Sequence, residues 1–87
     1  MNKLYVVINE DRHCDVDVKL YSDKKYAIEV ARKLAKDFCR HDDDYEEVDL
    51  NPSMIADGWL FYAIYSCEGD SVKVVKRVID KTTKDLV

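Results

Sequence analysis

The chain has 87 residues, 47 % of them hydrophobic and 37 % charged, with two Gly, one Pro and a formal charge of −4. A chain this short makes one compact domain over residues 1–87, hides only about 60 to 65 % of its unfolded surface on folding, and has no room for a second core. The composition excludes a disordered or fibrous chain. The apolar stretch Leu4-Tyr5-Val6-Val7-Ile8 is too short for the core of a signal peptide or for a membrane span, so a cytoplasmic location is expected. Cys14, Cys39 and Cys67 are odd in number and widely spaced, with no CxxC, which predicts reduced thiols and no disulfide framework.

Leu4 to Ile8 is a continuous β-favouring run and reads as a central strand covered on both faces. After a polar turn over Asn9 to His13, Cys14 to Tyr21 alternates. Cys14, Val16, Val18 and Leu20 point one way and Asp15, Asp17, Lys19 and Tyr21 the other, the pattern of a half-exposed edge strand guarded by charge. Ser22 is a plausible N-cap for a helix running to about Arg40. At 100° per residue Ala27, Val30, Ala31, Leu34 and Phe38 share one face, with Leu34 at its centre. Lys25, Glu29, Arg32, Lys33, Lys36 and Arg40 lie opposite.

Next, Asn51-Pro52-Ser53 reads as a helix start and Asp57-Gly58 as its stop, giving a short turn over Pro52 to Ala56. Trp59 to Cys67 reads as a second two-sided strand, Glu68-Gly69-Asp70 as a hairpin turn, and Ser71 to about Lys81 as a last strand. The order predicts an α+β domain, β-β-α-β-β, with a mainly antiparallel four-stranded sheet and one amphipathic helix packed on one face. One helix cannot cover both sides of such a sheet. The apolar side chains of Trp59, Phe61, Tyr62 and Tyr65 therefore need a further cover, either a second subunit or the acidic segment and its short turn folded back over the sheet.

Charge is segregated along the chain. His41 to Val72 contains no Lys or Arg and nine carboxylates, six of them in Asp42-Asp43-Asp44-Tyr45-Glu46-Glu47-Val48-Asp49, within an acidic loop over about residues 41 to 51. The residues before it sum to about +2 and those after it to about +3. Six acids here lie about 4 Å apart if extended and about 2 Å apart if helical, near the density of duplex DNA, one charge per about 1.7 Å of axis. The run therefore reads either as a docking surface for a basic partner or as a solvated, self-repelling loop. In the docking reading Asp42, Asp43, Asp44, Glu46, Glu47 and Asp49 supply charge and Tyr45 a desolvated anchor.

Chemistry is weakly signalled. His13-Cys14 and Cys39-Arg40-His41 bring soft ligands together, but neither has the paired spacing of a zinc site, and the acidic run lacks the Gly of a calcium loop, so no metal or cofactor is expected. No phosphate loop, G-x-S-x-G or nucleophile with an evident base occurs, which argues against an enzyme. The cations on the helix have no interleaved aromatic to stack a base, so direct nucleic-acid binding is not expected.

The opening Leu4-Tyr5-Val6-Val7-Ile8-Asn9-Glu10-Asp11 and the helix entry Leu20-Tyr21-Ser22-Asp23-Lys24-Lys25-Tyr26-Ala27 resemble small acidic proteins of phages and mobile elements, anti-CRISPR inhibitors among them. The likeness covers about the first forty residues. It implies a catalytically inert protein in the host cytoplasm that occupies the basic, nucleic-acid-binding groove of a host defence complex. Two alternatives stand beside it. One is a self-associating assembly protein, possible as a homodimer; the other is a small-ligand or nucleotide sponge using Lys25, Arg32, Lys36 and Arg40.

Overall fold

A computed structural model of the protein describes residues 2–11, 16–66 and 68–79. In chain order it contains β1 (Asn2–Glu10), β2 (Asp17–Tyr21), α1 (Lys24–Phe38), a 3-10 turn (Asp42–Asp44), β3 (Glu46–Glu47), α2 (Pro52–Ala56), β4 (Trp59–Ile64) and β5 (Ser71–Ile79). The strands make one antiparallel sheet in the order β2-β1-β5-β4-β3, and α1 packs across one face of it.

The α+β class and the antiparallel sheet agree with the sequence, but the sheet has five strands where four were expected. The extra strand lies inside the acidic run, where Glu46 pairs with Ile64 and Glu47 with Ala63. Two glutamates carry no β-favouring pattern. It is the otherwise unpaired backbone edge of β4 that draws them in, and the Val48 amide extends the ladder by donating to the Tyr62 carbonyl at 2.8 Å.

Element ends also shift. Asp23, not Ser22, is the N-cap of α1; its Oδ1 accepts from the Tyr26 amide at 3.2 Å. The helix stops at Phe38 because Cys39 turns to extended backbone, which leaves Arg40 outside it. β2 begins at Asp17 rather than Cys14; Cys14 and Asp15 lie outside the described residues, as do Cys67 and the expected end of the last strand beyond Ile79. The short helix is where it was expected, with Asn51 as N-cap and Pro52 in its first turn.

The core sits between α1 and the sheet. Ala27, Ala31 and Ala35, one turn apart, are fully buried and let the helix backbone approach Val7, Phe61, Ala63, Tyr65, Val72 and Val74. Leu34 is half-buried beside this seam, not at its centre. A bulge in β4 between Trp59 and Phe61 directs Leu60 as well as Phe61 towards the core, while Trp59 stays opposite Val75.

The other face of the sheet carries Leu4, Val6 and Ile8 of β1, Val18 and Leu20 of β2, Val75 of β5, and Trp59, Tyr62 and Ile64 of β4, as the cross-strand registers require. The acidic segment does not fold over it, contrary to one of the two expected covers. That segment continues the sheet at its edge and reaches towards α1 through Glu47. α1 packs on the opposite face, against Val7, Phe61, Ala63, Val72 and Val74.

Candidate functional site: an acidic end of the sheet

Antiparallel pairing brings the end of β1, the end of α1 and the β4–β5 hairpin to the same end of the sheet. A concavity of about 530 Å³ opens there, lined by five carboxylates from separate parts of the chain, Asp11, Asp37, Asp44, Glu68 and Asp70, with Arg40 and His41 among them. Its floor is Tyr65, which is buried. The Tyr65 hydroxyl donates to Asp11 Oδ2 at 2.5 Å and accepts from Asn9 Nδ2 at 3.0 Å, while the same amide also donates to the Ser71 carbonyl at 3.1 Å. Burial, and then the bond to Asp11, raises the Tyr65 pKa above the ordinary phenol range and keeps its proton in place.

Asp70 is buried and accepts from Ser66 Oγ at 2.9 Å, which ties the hairpin to its own start. Gly69, with φ +91, supplies the left-handed turn residue that the hairpin needs. Phe38 lines the rim with its ring 6.0 Å from that of Tyr65, yet remains 46 % exposed, so it presents an aromatic surface beside the carboxylates.

The expected site residues divide into two groups. Asp43, Glu46 and Asp49 are exposed and Asp44 is half-buried at the concavity. Of Asp42 only the backbone, in the 3-10 turn, is described. Glu47 and Tyr45 instead turn towards α1. Glu47 grips Arg32 in a two-point pair, Nε to Oε2 at 3.1 Å and Nη2 to Oε1 at 3.2 Å, and it accepts from the Tyr45 hydroxyl at 2.7 Å. The Arg32 and Tyr45 hydrogen bonds hold the Glu47 carboxyl below its usual range, whereas burial, then the bond to Glu47, pushes the Tyr45 phenol up to about 12. Lys36 lies 5.6 Å from the Tyr45 ring centre and Arg32 5.3 Å from that of Phe61. Tyr45 therefore anchors the acidic run to its own helix.

The same contacts bear on the cationic stripe, since Arg32 and Lys36 are engaged within the fold and Arg40 stands at the acidic concavity. His13 and Cys14 lie outside the described residues. The Cys39 thiol donates to the His41 carbonyl at 2.8 Å, and among the described residues no group of three or more His, Cys, Asp or Glu is arranged to hold a metal ion. Also among these residues, no helix is long and apolar enough to cross a membrane.

Asp11, Asp37, Glu68 and Asp70 were not singled out as site residues from the sequence. Each is one acid in an ordinary turn or helix end, and only the strand order places them together. A charge count restricted to segment ends that share one end of the sheet would have found them, given that order.

No protein-family model, curated protein or solved structure matches the chain.

Proposed function

We propose that the chain is a non-enzymatic binding domain whose acidic end docks on a cationic surface of a partner protein, in the manner of a small phage-encoded inhibitor of a nucleic-acid-binding host complex. The observation that supports this reading is the gathering of five carboxylates around one concavity. A concave, carboxylate-lined end beside an exposed Phe38 suits the aliphatic stem and cationic head of a Lys or Arg side chain. Asp43, exposed next to Asp44 in the 3-10 turn, extends the negative field that draws a basic partner in. The docking surface is thus shifted from the run Asp42 to Asp49 as a whole towards its first half together with Asp11, Asp37, Glu68 and Asp70. Tyr45 and Glu47 hold the surface in place.

The test is affinity capture from a bacterial lysate at low and high salt, with mass spectrometry of the retained proteins, comparing the natural chain with Asp43→Asn, Asp44→Asn and Glu68→Gln combined. A specific basic partner retained at low salt, reduced at high salt and lost with the triple variant is the expected outcome. Equal retention by the triple variant would remove the reading.

A further inference from the structure

We infer that the open face of the sheet is an interface between two copies of this chain, packed face to face. Nine apolar side chains lie on it: Val75 in the middle is buried by its neighbours, those on β1 and β4 are half-buried, and on the edge strand Val18 and Leu20 are 53 % and 60 % exposed. The cation nearest its middle is neutralised within the same molecule. Lys73, opposite both Ile8 and Tyr62, places Nζ 3.2 Å from Glu10 Oε1 and 4.6 Å from the centre of the Trp59 ring. An apolar face whose central charge is already paired suits an equally apolar and neutral surface.

Two arguments point to a second copy. The first is area. A strand residue covers about 16 Å² at about 3.3 Å along the strand and about 4.8 Å between strands. Five strands therefore offer about 500 Å² per copy and a pair about 1,000 Å², the size at which specific interfaces begin. The second is charge. Arg77, opposite Leu4 and donating one guanidinium N–H to the Asp57 carbonyl at 2.8 Å, marks one end of the face, while Glu46, through its pairing with Ile64, marks the other. A two-fold axis that reverses the strand direction sets Arg77 of each copy against the acidic end of the other, as a self-complementary interface requires. This inference is independent of the acidic concavity, which such packing leaves open.

Sedimentation velocity of the full chain across the micromolar range tests it, alongside a Val18→Lys, Leu20→Lys double variant and a Val78→Lys control. Val78 is similarly exposed, at 50 %, but lies on the helix side of β5. The natural chain and the control should both move to twice the 10.2 kDa chain mass. The double variant should dimerise at least about tenfold more weakly, since like charges brought together at an interface cost more than the ~1.4 kcal/mol that a factor of ten represents. Acrylamide quenching of Trp59 should fall as the natural chain is concentrated, a readout that does not depend on the double variant folding. A natural chain that stays monomeric at high micromolar concentration, with Trp59 quenching unchanged, overturns the inference. So does a dimer that a folded double variant forms equally well, since that would be edge-paired or assembled elsewhere.

Discussion

The pair between Arg32 and Glu47 joins the acidic run to α1, and its two partners contribute unequally. Both side chains are about two-fifths exposed, at 41 % and 42 %, so solvent screening limits the ion pair itself to about 0.2–1 kcal/mol. Arg32 also lies over Phe61, a cation–π contact worth about 0.5–1 kcal/mol at an exposed site. Arg32→Ala should therefore lower stability more than Glu47→Gln does in urea titrations of the two variants. The same cluster sets a pH dependence at each limit. Glu47 has a folded pKa below the ordinary 4.5, so its contribution is present above about pH 4.5 and lost as pH falls through the folded value. Tyr45 is the opposite case, rising from 10.0 to about 12; its contribution is present below pH 10 and lost as pH climbs through about 12. Phenolate absorbance should show two late-titrating tyrosines, of which Tyr45→Phe removes one and leaves Tyr65, and Glu47→Gln should flatten the acid limb of the stability curve.

At the scale of the element, α1 is held by an alanine seam, and its mutational sensitivity follows from that. Helical periodicity alone would assign Leu34→Ala the about 2–5 kcal/mol of a buried leucine. Because Leu34 is only half-buried, the cost should fall below that range. Ala31→Leu should be the more damaging change, at about 1–3 kcal/mol, since extra methylenes at a fully buried seam force the helix off the sheet. The two glycine turns make a second contrast. Gly58 has φ +93, and a Cβ there would meet the Lys76 carbonyl oxygen at 2.8 Å, whereas Gly69 has φ +91 and open space around it. Gly69→Ala should cost only the strain of a left-handed residue, about 1–2 kcal/mol. Gly58→Ala should cost more, because β5 must also move away; thermal melts of the two variants check the order.

For the whole molecule the central fact is polarity along the sheet and across it. Acids gather at one end, and α1 packs on one face while the other carries the exposed Val18 and Leu20. Removing charge at Asp43, Asp44 and Glu68 relieves like-charge repulsion in a chain of net charge −4. The melting temperature of that variant should hold or rise while its partner binding drops. Neutralising Glu47, which is held by Arg32, should instead lower the melting temperature. Acids that serve docking and acids that serve folding can thus be separated by comparing melting and capture for the two sets.

The sequence by itself determined the class of the fold, four of the strands, both helices and their approximate ends. Those features are written in local periodicity, in capping residues and in turn glycines, each acting within a few residues of itself. It also marked the acidic run, because charge density is a property of the chain. Strand order was decided only by tertiary structure: β5 pairs with β1 over nine residues, and no local signal specifies which strand a two-sided apolar run will choose. That choice assembled Asp11, Asp37, Asp44, Glu68 and Asp70 at one end. Tertiary contact also decided that Tyr45 and Glu47 face the helix and that Val18 and Leu20 face outward. Alternation shows that two faces differ, and only the packing of α1 on one of them determines which is covered.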